Sequence, residues 1–322
     1  MNLFYPSHDI ALANGIRHFN PPKAALRLQE DLAWLEDIFA PDGSQPWGWD
    51  WDTREYLAKE RHVKRSLLPA DDQLEQLRQL SSRRTLIGLL QGLHYRGKMP
   101  EYLTSEEEVL RYLEQNDAQG NNFVLKTPWS SSGRGLIRSS VTPRESMIRQ
   151  AHVAIQKMGG IMGEPWLDKK QDFALLFYVH RDRVSFLGYS YFENDTNGTY
   201  RQGFLLSNAD IERRLTTGTP LTLDTLHQVR QDAIQFLTEC FSPFFGLPWE
   251  VGYVGIDMMT LPDPQQPWAC CELNLRCTMG VVARLWADRH LEAGQSGRFF
   301  ISPMTEDGHF QAEFIIDSPC PE

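Results

Sequence analysis

Two segments, VGYVGIDMM (251–259) and WACCELNL (268–275), joined by the proline-rich turn LPDPQQP (261–267) and followed by Arg276, decide how this chain reads. Both are apolar runs of strand length, and the turn between them makes them antiparallel neighbours. Successive side chains of a strand point to opposite faces. Alternation therefore places Tyr253, Gly255, Asp257 and Met259 on one face of the first strand, and Cys270, Glu272 and Asn274 on one face of the second. Paired, the strands bring Asp257, Glu272 and Asn274 together. A charge buried without a partner is costly, so carboxylates inside such apolar strands call for a cation. Two carboxylates and an amide are hard oxygen ligands, suited to magnesium that bridges nucleotide phosphates. Gly255 leaves space beside Asp257. The planar cation of Arg276 is placed to steady a transferred phosphoryl or an acyl-phosphate. The alternative is a surface strand with polar residues turned outward.

Upstream, Lys126-Thr127-Pro128-Trp129-Ser130-Ser131-Ser132-Gly133-Arg134-Gly135 lies between two short strands, FVLK (123–126) and GLIRS (135–139). Small residues let backbone N–H groups close on phosphate oxygens, while Lys126 adds a point charge. Arg134 would sit over the phosphate as a lid residue. The order is not that of a strand-to-helix phosphate loop, and an exposed hairpin tip is the competing reading. A third segment, GGIMGEPWLDKKQDF (159–173), runs from a strand into a polar turn at Glu164-Pro165-Trp166-Leu167. Such a turn presents backbone groups to an adenine edge and an acid to ribose hydroxyls.

The rest supports an α/β start followed by an antiparallel-rich α+β half. We expect a strand at Leu3–Tyr5, helices over 24–39, 70–80 and 81–93, and a helix capped by Thr104 with Glu107 three residues on. Further helices are expected at 143–158, 221–241 and 280–292, and strands at 161–167, 173–179, 184–192, 200–206 and 309–316. Trp34, Trp47, Trp49 and Trp51 read as packing residues, as do Cys270 and Cys271, while His8 and Asp9 read as local capping. The chain has 322 residues, 41% hydrophobic and 23% charged, enough for a core of normal size. Its net charge of -10 argues against a nucleic-acid partner. Five cysteines without zinc-ribbon spacing read as reduced thiols of a cytoplasmic protein. The opening MNLFYPSHDI does not read as a signal peptide, and no run reaches the ~18 apolar residues of a membrane span.

Taken in order, the three segments resemble the ATP-grasp superfamily, which includes D-alanine–D-alanine ligase and biotin carboxylase, over roughly 81–281. The resemblance implies an α/β (α+β) ATP-grasp fold, two α+β subdomains clasping ATP after a small α/β pre-domain. The division would be 1–80, 81–167 and 168–322. It implies ATP and Mg2+ as cofactors, with Mn2+ as a substitute. Lys126 matches the phosphate lysine and 130–135 the loop over the triphosphate. Glu164, Pro165, Trp166 and Leu167 match the adenine hinge, and Asp172 falls near the ribose acid. Asp257, Glu272 and Asn274 match the metal ligands, and Arg276 ends the signature as a catalytic residue beside Lys126. Where the family often has a second phosphate lysine, this chain has Ser81-Ser82-Arg83-Arg84. We assign Arg84 to the nucleotide, with Arg83 as the alternative. An arginine that several ligases carry before the first metal acid is absent, and Arg276 or Arg201 would take its role; Arg201 is also the candidate for a substrate carboxylate.

The activity implied is ligation of a small-molecule carboxylate to an amine or other nucleophile through an acyl-phosphate. The alternatives are a small-molecule kinase, a non-catalytic nucleotide-binding scaffold on the same fold, and an α/β interaction protein with chance matches. Oligomeric state stays open, a homodimer being one option.

Overall fold

The computed structural model describes residues 3–15, 19–43, 45–130, 135–195, 200–302 and 308–317. The first part is helical: α1 (His8–Asn14), α2 (Lys23–Asp31), α3 (Glu36–Phe39), α4 (Trp51–Lys59), α5 (Asp71–Leu80) and α6 (Thr85–Gly92). Two expectations fail here. The helix over 24–39 is broken at Leu32, which leaves helical geometry, and resumes through a 3-10 turn. Leu3–Tyr5 is buried but joins neither sheet. The Leu3 N–H donates to the Glu36 carboxylate at 2.9 Å, and the Trp47 N–H donates to the Leu3 carbonyl at 3.1 Å. The Leu3 backbone groups are thus satisfied by a side chain and a loop instead of a strand partner.

The middle holds β1 (Glu101–Leu103), α7 (Glu106–Ala118), β2 (Phe123–Lys126), β3 (Leu136–Arg138), α8 (Arg144–Met158) and β4 (Ile161–Pro165). The strands form an antiparallel sheet in the order β1-β4-β2-β3. The cap of α7 lies one residue beyond the expected place. Ser105 Oγ accepts from the Glu108 N–H, and the Glu108 carboxylate accepts from the Thr104 N–H. Val109, Tyr112 and Leu113 of α7 pack with Ala151 and Ala154 of α8 and with Phe123 and Leu125 of the sheet in one small core.

The remainder supplies β5 (Gln171–Val179), β6 (Val184–Asn194), β7 (Tyr200–Leu205), α9 (Asn208–Thr216), α10 (Leu223–Phe241), β8 (Gly252–Thr260), β9 (Trp268–Asn274), α11 (Met279–His290), β10 (Gly297–Ser302) and β11 (Gln311–Ile316). Seven strands form a second antiparallel sheet, ordered β11-β10-β7-β6-β5-β8-β9. Leu226, Val229, Ala233, Leu237 and Phe241 of α10 are buried at helical spacing. Phe236 lies against Gly92 of α6, where a Cβ would come within 3.0 Å of its ring.

The described residues thus gather around two cores. Leu74, Leu77, Leu86, Leu89, Leu90 and Leu93 share the larger one with the seven-stranded sheet, and residues 103–161 make the smaller. Trp47 and Trp49 pack within the larger core, Trp47 edge-on to Phe4 and Phe39, Trp49 edge-on to Trp249. No described helix is long and apolar enough to cross a membrane.

Candidate active site

The register of β8 and β9 sets the site. Asp257 lies opposite Glu272, and Gly255 opposite Asn274. The Asn274 side-chain amide donates to Asp257 Oδ2 at 3.0 Å. Burial pushes the Asp257 carboxyl up to about 7, and the Glu272 charge pushes the same way against Arg276 and Asn274. A bulge follows: Met258 pairs with Cys270, so Cys271 is the extra residue. Cys270 therefore shares the face of Met258, not that of Glu272 as strict alternation had it. Cys271 instead feels the charges of Lys126 and Asp257, while burial holds its thiol well above the usual range. Among the described residues no group of three or more His, Cys, Asp and Glu is arranged for a metal. The donor set here is two facing carboxylates and an amide, all oxygen chemistry, which fits Mg2+ and not a thiophilic ion.

The smaller sheet brings the cations. Lys126 ends β2, and its ammonium donates to Glu164 Oε2 on β4 at 2.6 Å. Burial alone would lower the Lys126 pKa, but the Glu164 charge outweighs it and raises the pKa. Glu164 Oε1 is buried without a hydrogen-bond partner. The segment after β4 is tied at both ends, by the Trp166 N–H to the Asn122 carbonyl and by the Lys170 N–H to the Thr260 carbonyl. Pro165 closes β4. Trp166 is exposed with the Arg138 guanidinium 4.9 Å from its ring centre, and the Leu167 carbonyl accepts from the Lys169 N–H. Asp172, at the start of β5, pairs with Lys169 and raises the pKa of Asp257. Gly135 has φ +71, and a Cβ there would meet Thr127 Oγ1 at 2.6 Å, so this hairpin end requires glycine. Ser131, Ser132, Gly133 and Arg134 lie outside the described residues.

Four candidate arginines have different surroundings. Arg84 is exposed, its guanidinium 5.5 Å from the Tyr102 ring centre. Arg83 is the buried one and reaches the site. It donates to Glu272 Oε1 at 2.6 Å, the Thr127 carbonyl at 2.7 Å and Ser130 Oγ at 2.8 Å. In the turn before α6 successive side chains diverge, so Arg83, the alternative, and not Arg84 reaches Glu272 and the β2–β3 end. Arg276 is gripped by Asp9. Its Nε donates to both Asp9 oxygens at 2.9 and 2.8 Å, and its Nη2 lies 2.7 Å from Oδ2. Burial would raise the Asp9 carboxyl, yet the Arg276 charge and hydrogen bonds, with His8 3.7 Å away, hold it well below the carboxylate range. Asp9 is thus more than a local cap. Arg201 is exposed at a register shift on β7. Three strand spacings, about 14 Å, separate β7 from β8, so Arg201 does not join the cluster.

No family model matches the chain, and no curated protein does. Solved structures do. A biotin carboxylase from Campylobacter jejuni, solved as a β,γ-ATP complex, superposes with a TM-score of 0.50 at 10% identity over 79% of this chain and 58% of that one. The biotin carboxylase domain of the Hydrogenobacter thermophilus 2-oxoglutarate carboxylase, a dimer with MgADP, ADP and bicarbonate, gives 0.50 at 10% identity over 88% and 63%. The chain spans about three fifths of the length of these enzymes. At this identity the likeness concerns fold: the chain has the ATP-grasp fold.

Proposed function

We propose that the cleft between the two sheets binds Mg-ATP, and that the chain is an ADP-forming ligase joining a small-molecule carboxylate to an amine. One observation carries this reading. The oxygen cluster of Asp257, Glu272 and Asn274 on the larger sheet is linked to the Lys126 hairpin of the smaller by the single side chain of Arg83. Anionic donors for a cation and cationic donors for phosphates therefore meet at one seam. The similarity to biotin carboxylases, solved with nucleotides, supports it. In this reading 1–80 precedes the grasp, 81–167 carries the phosphate hairpin and hinge, and 168–322 carries the metal site. Glu164 to Leu167 frame the adenine and Asp172 the ribose. The free described cysteines fit a reducing, cytoplasmic setting.

Asp257, Glu272 and Asn274 would hold Mg2+, which when bound supplies charge neutralisation at the phosphates. Lys126 and the 130–135 hairpin hold the triphosphate in line with the acid. A substrate carboxylate oxygen bonds to the γ-phosphorus, the bond to the bridging oxygen breaks, and ADP leaves. Arg276, oriented by Asp9, faces the acyl-phosphate. The amine nitrogen then attacks the acyl carbon, phosphate departs with the bonding electrons, and the nitrogen releases its proton.

The test is ADP release over a panel of acid and amine pairs. We expect ADP and inorganic phosphate in equal amounts only when both co-substrates are present. Phosphate retained on the product would instead establish a kinase, and bound nucleotide without turnover for any pair would favour a scaffold.

A further inference from the structure

We propose that Arg83 is an internal counter-ion that occupies the Glu272 carboxylate in the nucleotide-free protein and is exchanged for the metal when nucleotide arrives; this rests on the Mg-nucleotide reading above. Each described cation of the cleft is held by a carboxylate: Lys126 by Glu164, Arg276 by Asp9, Arg83 by Glu272. Only the last of these carboxylates belongs to the metal cluster. A guanidinium hydrogen-bonded to Glu272 Oε1 uses the lone pairs a divalent ion needs, and the two positive charges repel at such range. Arg83 therefore stands where the metal's charge would act. Its side chain is 7% exposed, so the charge is poorly screened by water.

The other contacts of Arg83 show where it would go. Two of its three bonds are to the phosphate hairpin, at the Thr127 carbonyl and Ser130 Oγ, and its backbone N–H donates to the Pro128 carbonyl. Those bonds survive when Glu272 is released. Arg83 Nε is buried and has no hydrogen-bond partner, an unusual state for a guanidinium in a native protein. Once Glu272 takes the metal, Nε and the vacated Nη2 are two donors on the hairpin, in the fork geometry that suits phosphate oxygens. Arg83 thus opposes metal in the empty cleft and favours nucleotide in the loaded one. Its removal should move the two affinities in opposite directions, which loss of a merely structural ion pair would not do.

The experiment titrates wild type, Arg83→Gln and Arg83→Gln/Glu272→Gln with Mn2+ alone, reading free ion by electron paramagnetic resonance. Binding of a non-hydrolysable ATP analogue with Mg2+ is then measured by calorimetry. Arg83→Gln should bind Mn2+ alone at least about tenfold more tightly than wild type, the equivalent of one charge-assisted hydrogen bond no longer competing. It should bind the Mg-analogue about tenfold more weakly, and the double variant should lose the gain in Mn2+ affinity. Arg83→Met, which keeps the packing of the stem, replaces Arg83→Gln if thermal melts show that variant unfolded. A folded Arg83 variant with unchanged or weaker Mn2+ affinity would overturn the exchange while leaving the nucleotide reading intact. Wild type that binds no Mg-analogue would overturn the nucleotide reading, and the exchange with it.

Discussion

Asp9 and Arg276 are 267 positions apart, and each is largely but not fully covered by the other and its surroundings, 17% and 16% exposed. Removing one partner of such a pair leaves a largely desolvated charge uncompensated, so Asp9→Asn should destabilise the protein by about 2–3 kcal/mol at neutral pH, toward the low end for a buried pair. The folded pKa of Asp9 is depressed, so its contribution is fully present above the unfolded carboxylate pKa and is lost as pH falls through the folded value. Urea unfolding should therefore show a constant gap between wild type and Asp9→Asn above about pH 5 that narrows progressively as pH falls below it toward about 2. A gap that stays constant would mean that Asp9 contributes packing alone. Sequence reading found the adjacency of Asp257, Glu272 and Asn274 because strand alternation is a short-range rule. Asp9 escaped it because the pair closes over nearly the whole chain, and Arg83 because a tight turn has no periodicity to choose it over Arg84.

The same division holds for the elements. Helices with long stripes and caps, such as α10 with Thr222 as N-cap, follow directly from spacing. β10 and the three-residue β1 were not read, since each is fixed by a distant partner strand and not by its own pattern. The β9 bulge, invisible in the sequence, moves Cys270 off the face of Glu272. Glycine at 163 is another long-range requirement: a Cβ there would stand 2.6 Å from the Tyr112 ring, with further ring atoms at 2.9 Å. The ring is fully buried between α7 and the sheet and cannot swing away. Gly163→Ala should cost about 1–3 kcal/mol, the usual range for overpacking. Thermal unfolding checks this, and an unchanged melting temperature would show that the ring has room to yield.

The two antiparallel sheets with their separate cores form the ATP-grasp fold, and side chains of both charge signs meet where Arg83 links them. The motifs that suggested the fold lie between Lys126 and Arg276. The helical first eighty residues carry no such motif, yet they supply Asp9 to the site and pack into the larger core. In the proposed reading, what binds beside Arg276 would depend on that region, where side-chain contacts, not repeating patterns, set the shape. The proposed nucleotide half of the site is accessible to one direct measurement. A non-hydrolysable ATP analogue is titrated calorimetrically into wild type, Asp257→Asn and Glu272→Gln, with and without magnesium. Magnesium-dependent binding by wild type, weakened at least about tenfold in both folded variants, is the expected result. Folded wild type that binds no analogue, or variants that bind it as tightly as wild type, would contradict the assignment of this cleft to Mg-ATP.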